Sequence, residues 1–114
     1  MRLIAVFTVA GLALAASTVH AASFDCARAR AADEKAICAN RALNDADVKM
    51  TTLLAVDEHL VAMGARGNMQ DDQRDWLKAR HTCGGNVKCL TASYNKRLAQ
   101  LQKTFDDISS RGPF

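Results

Sequence analysis

The sequence predicts an all-α domain: a small disulfide-stapled helical bundle with a short N-terminal helix, three longer helices and an α-hairpin over 70–108. Three observations carry that fold class. Apolar residues recur at steps of three and four, most regularly at Val87, Leu90, Tyr94, Leu98, Leu101, Phe105 and Ile108. No segment sustains a period of two with β-branched residues, so no sheet is expected. Four cysteines complete the pattern, the last two lying either side of Gly84-Gly85, where the chain can reverse.

The chain opens with Met1-Arg2 and an apolar run from Leu3 to Ala16, and Val19-His20-Ala21 fits the small-x-small pattern of signal peptidase. Residues 1–21 are therefore expected to be a cleaved secretory signal, with Ala22 an equally suitable last residue. The apolar run is shorter than the ~20 residues that a bilayer core requires. Phe24-Asp25 before Cys26 does not suit a lipid-attachment site. The expectation is a periplasmic or secreted protein with no membrane anchor after cleavage.

Residues 22–114 then form one small domain. Of the 15 basic side chains only Arg2 belongs to the leader, and 12 acidic ones oppose the rest. So even a balance gives no strong steering toward nucleic acid. A domain of this size buries only about two-thirds of its unfolded surface, so covalent staples help it.

Asp33-Glu34-Lys35-Ala36-Ile37-Cys38 has an acidic start suited to a short helix, with Ile37 and Cys38 turned inward. Leu43-Asn44-Asp45 reads as a staple residue and an N-cap. From Ala46, the apolar residues Val48, Met50, Leu53, Leu54, Leu60, Val61 and Met63 predict an amphipathic helix. Gly64 to Asn68 reads as a loop. A third helix is expected from about Met69 to Cys83, with Asp71 and Asp72 in its first turn. Asn86 then caps the fourth helix, which Arg111-Gly112-Pro113 ends.

The organising stretch is Gln73 to Tyr94, which holds the only Trp and the only Tyr. Gln73, Trp76, Arg80 and Cys83 share one helical face. Trp76 and Tyr94 read as anchors on facing helices. Gln73 and Arg80 beside them read as a polar bracket that sets helix register through hydrogen bonds to backbone. Four cysteines allow three connectivities, of which Cys26–Cys38 and Cys83–Cys89 are favoured, because each closes across a turn or helix start without demanding a particular tertiary arrangement. The alternative use of Cys83 and Cys89 with His81 as metal ligands lacks the short Cys-x-x-Cys spacing of structural zinc sites.

No catalytic constellation stands out. Asp57-Glu58-His59 are adjacent residues, which diverge by about 100° on a helix and so read as a solvated face. Ser93 and Ser109 lack a His–Asp pattern. No cofactor and no metal are expected, and the chain is not expected to be an enzyme.

Ser-Phe-Asp-Cys at 23–26, Glu-Lys-Ala-Ile-Cys-Ala-Asn at 34–40, Gln-x-x-Trp-Leu-x-x-Arg at 73–80 and Cys-x5-Cys-Leu-x3-Tyr at 83–94 resemble the lysozyme inhibitor LprI-like family. The resemblance spans nearly all of 22–114. It implies a small exported four-cysteine domain that binds a lysozyme and inhibits it sterically, although this chain lacks the lipid-anchor cysteine of the family's namesake. The pattern consists of cysteines and packing residues, so it transfers no catalytic residue. Arg66 and Asn68 in the expected loop, with Asn86 and Lys88 at the hairpin tip, are the candidate partner-binding residues, because loops on rigid scaffolds concentrate binding groups. The alternative is an envelope interaction or stress-adaptor protein with an unrelated partner.

Overall fold

A computed structural model of the chain describes residues 22–112; the expected signal segment lies outside them. A 3₁₀ turn at Cys26–Arg28 leads into α1 (Ala32–Ala39), α2 (Arg41–Leu60), α3 (Met63–His81) and α4 (Val87–Ser109), and no strand occurs among the described residues. The all-α, disulfide-stapled bundle expected from the sequence is what forms. Helix α2 packs most extensively on α4, α1 lies across α2, and α3 meets α4 more sparingly.

Two boundaries differ from expectation. Helix α2 is capped by Asn40, whose Oδ1 accepts the Leu43 amide at 3.1 Å, and not by Asn44 or Asp45. A single extended residue therefore joins α1 to α2, and Leu43 and Asn44 are buried inside the helix. The second correction concerns Gly64 to Asn68, which is helical. Val61 and Ala62 reverse the chain in extended conformation, and α3 begins at Met63. Neither Gly64 nor Gly67 adopts a positive φ. Arg66 holds this first turn in place, its Nε donating to the Glu58 carbonyl at 2.7 Å. That bond satisfies one of the carbonyls a helix C-terminus otherwise leaves without a partner.

The inward face of α2 also differs. The buried positions are Leu43, Asn44, Asp47, Met50 and Asp57, with Leu54 half-buried between them. Val48 and Leu60 are exposed, and Met63 is 85% exposed. The stripe keeps steps of three and four, but two of its members are carboxylates, which a search for apolar residues passes over. Asp57 is one of them: it points inward, away from the solvated face expected for Asp57-Glu58-His59, while His59 remains outside.

Ile37, Leu43, Met50, Leu90, Tyr94 and Leu101 form the core, with Phe24, Leu54, Trp76 and Leu98 packed around it. Cys26–Cys38 and Cys83–Cys89 are both bridged, with Cα separations of 5.8 and 5.5 Å. The first ties the N-terminal turn to α1. The second closes the turn between α3 and α4, where Gly84 takes the positive φ of 54° that an L side chain resists. Two bridges and no free cysteine suit an oxidising, extracytoplasmic compartment.

Candidate functional site

The sequence-level face of α3 converges on one buried polar cluster. Arg80 is only 6% exposed, and its guanidinium reaches three helices. Its Nε donates to Asp33 Oδ2 on α1 at 3.0 Å, and its Nη1 donates to the Tyr94 hydroxyl on α4 at 3.2 Å. The hydroxyl in turn donates to Asp47 Oδ1 on α2 at 2.8 Å, and Arg80 Nη1 lies 3.8 Å from that same oxygen. The Ser23 amide closes the chain of bonds on Asp47 Oδ2 at 2.6 Å. The Phe24 and Trp76 rings flank the guanidinium, 5.9 and 5.7 Å from its carbon. A cation between two rings and two carboxylates is compensated although removed from water.

Burial by itself pushes the Asp33 carboxyl up. The Arg80 charge, hydrogen bonds from His81 and Arg80, and the Glu34 amide outweigh it and hold the group below its ordinary value. Tyr94 is pushed in the opposite direction, first by burial and then by its bond to Asp47, so its hydroxyl remains a donor at any physiological pH.

A second layer lies on the far side of Trp76. The indole packs edge-on against Tyr94, centroids 5.1 Å apart, and its Nε1 donates to the Ser93 carbonyl at 3.3 Å. Gln73 is bonded at both ends of its amide. Its Oε1 accepts Arg97 Nε at 2.9 Å, and its Nε2 contacts Met50 Sδ at 3.3 Å. Gln73 and Arg80 thus flank the packed pair Trp76 and Tyr94, but they bond to side chains and not to the backbone groups expected. Their partners are side chains from every other helix, and only Trp76 bonds to backbone. Asp33, Asp47 and Arg97 were not anticipated. Their one sequence signal is position, since Asp47 and Arg97 fall on the buried stripes of α2 and α4.

The four candidate partner-binding residues separate into two places. Arg66 and Asn68 lie in the first turns of α3, with the Arg66 guanidinium half-buried against α2. Asn86 and Lys88 lie at the stapled tip beyond the other end of that helix. A helix the length of α3 is roughly 28 Å long, so the two pairs do not share one surface. At the tip, Asn86 Oδ1 caps α4 by accepting the Cys89 amide at 3.0 Å. Residues 85–89 are exposed throughout, between half-buried Cys83 and fully buried Leu90.

Cys83 and Cys89 are bonded to each other, and His81 Nδ1 lies 3.3 Å from Asp33 Oδ1. Among the described residues no group of three His, Cys, Asp or Glu side chains is arranged to hold a metal ion. No described helix is long and apolar enough to cross a membrane.

No protein-family model, curated protein or solved structure matches this chain. Its function is therefore argued from its own residues.

Proposed function

We propose that this is an exported lysozyme inhibitor-like protein, which binds a peptidoglycan-cleaving enzyme and blocks its cleft sterically. The observation that carries the reading is the stapled tip. Gly85, Asn86, Val87, Lys88 and Cys89 project into solvent from a turn closed by a disulfide and anchored by Leu90 and Tyr94 in the core. A loop that is already rigid loses little conformational freedom on binding. Lys88 offers an ammonium to the carboxylates of a glycosidase cleft, and Val87 offers an apolar contact beside it. Near-neutral charge gives little long-range attraction, so affinity must come from contact at the tip. The four-segment resemblance noted in the sequence supports the same assignment, and cleavage of residues 1–21 as a leader belongs to it.

The test is lysis of cell walls by a lysozyme in the presence of the purified, oxidised protein. Slowed lysis that is lost in Lys88→Glu and Val87→Asp, with circular dichroism unchanged, supports the proposal. Undiminished lysis at a large molar excess overturns it. Intact mass of the exported protein tests the leader, and a retained N-terminus refutes it.

One observation favours the second reading, an envelope interaction protein with an unrelated partner. Val48, Val56 and Leu60 leave an exposed apolar stripe along the outer face of α2, which the tip mechanism does not use.

A further inference from the structure

Helices α3 and α4 are joined through the stapled turn and contact each other sparingly, and a groove of about 600 Å³ lies between them. That volume is in the range of small-ligand sites. Its α3 wall carries Asp72 and Asp75, its α4 wall carries Lys96 and Arg97, and half-buried Trp76 and Met69 supply apolar surface.

The charges in this groove are unusually uncommitted. Arg97 is only 6% exposed, yet its one hydrogen bond among the described residues is from Nε to Gln73. The four N–H groups on its two Nη atoms have no acceptor there. Its stem is buried while the fork opens on the groove, a geometry that suits a carboxylate. Asp72 is near enough to offset part of the burial cost of the Arg97 charge, but it forms no ion pair with it. Lys96 likewise has no bonded partner among the described residues. Only Asp75 is engaged, by exposed Lys78 at 3.1 Å. Gln73, fixed between Arg97 and Met50, holds the guanidinium where it is.

We propose that this groove binds a short peptide with free ends, its terminal carboxylate on Arg97 and Lys96 and its terminal ammonium on Asp72. Opposite charges on opposite walls match a zwitterion and disfavour a ligand of one sign. The apolar surface of Trp76 and Met69 accommodates small side chains between the two ends. The side chains of Ser93 and Gln100 along the α4 wall are available to its amides. The site lies away from the stapled tip, so it stands or falls separately from enzyme inhibition.

The test is titration of the oxidised, exported protein with trialanine, followed by two-dimensional nitrogen–proton NMR. The expected result is saturable shifts at the Trp76 indole N–H, the Arg97 Nε–H and the amides of 93–101. N-acetyl-trialanine and trialanine amide should each bind about tenfold more weakly, the loss expected for one charged hydrogen-bonded contact. Lys96→Gln and Asp72→Asn, both at exposed positions that leave the fold intact, should weaken trialanine to a similar degree. In addition, Asp72→Asn should not weaken the binding of the acetylated peptide any further. Absence of saturation at tens of millimolar trialanine overturns the proposal. So do saturable shifts that cluster outside the groove, or equal binding of the free and end-blocked peptides.

Discussion

Arg80 and Asp33 form a buried ion pair, Nε to Oδ2 3.0 Å, between α3 and α1, with 47 positions of chain separating them. No local interaction brings them together, so the pair exists only when α1 and α3 are docked. Asp47, through Tyr94, extends the same cluster to α2. The bracket therefore reports on the whole tertiary arrangement.

Arg80→Met should destabilise the domain by about 3–5 kcal/mol at neutral pH, because it leaves Asp33 and Asp47 buried without their cation. Chemical denaturation of the oxidised protein measures this. Replacing Arg80, Asp33 and Asp47 together by apolar residues should cost far less, since no buried charge then remains uncompensated. An Arg80→Met variant as stable as the parent would show that the pair contributes nothing.

The two inward carboxylates Asp33 and Asp57 should impose opposite pH dependences. Asp33 is held below its ordinary value, so its contribution is present above the unfolded value, about 3.9, and is lost as pH falls through the lower folded one. Asp57 is fully buried, neither of its oxygens has a hydrogen-bond partner among the described residues, and burial raises its pKa. The folded state thus keeps a proton that the unfolded chain releases. Stability falls as pH rises from about 3.9 through the raised value, and stays lowered above it. Asp57→Asn should accordingly melt several degrees above the parent at neutral pH and close to it at about pH 3. Equal melting at both pH values would contradict this.

Gly64→Ala and Gly67→Ala separate the helical description of 63–68 from a loop. A Cβ built at either position meets nothing within 4 Å, and neither glycine has a positive φ. Each substitution should stabilise the protein by about 0.5–1 kcal/mol, the usual gain for glycine to alanine inside a helix. Thermal melting decides it, and a loss of stability in both variants would reinstate the loop.

Cys83→Ser with Cys89→Ser should cost roughly 2 kcal/mol from the released loop entropy. Amide exchange should quicken first at 84–89, because the staple is what holds the turn. Unchanged protection at these amides would show that Gly84 and the Asn86 cap suffice without the bridge.

Much of the architecture was legible along the chain because it rests on local chemistry. The heptad of α4, the Asn86 cap, the reversal at Gly84 and both disulfide pairings each depend on neighbours within about a dozen residues. The shared face of Gln73, Trp76, Arg80 and Cys83 follows from helical spacing alone. Where local signals compete, tertiary contacts decide. Asn44 suits a cap by residue type, yet Asn40 caps α2 and Asn44 is buried inside the helix. Gly64 and Gly67 suit a loop, yet the Arg66–Glu58 bond and the short Val61-Ala62 turn keep them helical. The buried charges were beyond reach for a deeper reason. A carboxylate such as Asp47 or an arginine such as Arg97 reads as surface unless its partner is known, and its partners come from other helices. Sequence set which faces could be buried; tertiary packing decided which charges went with them, because a buried charge is tolerated only where distant groups converge on it.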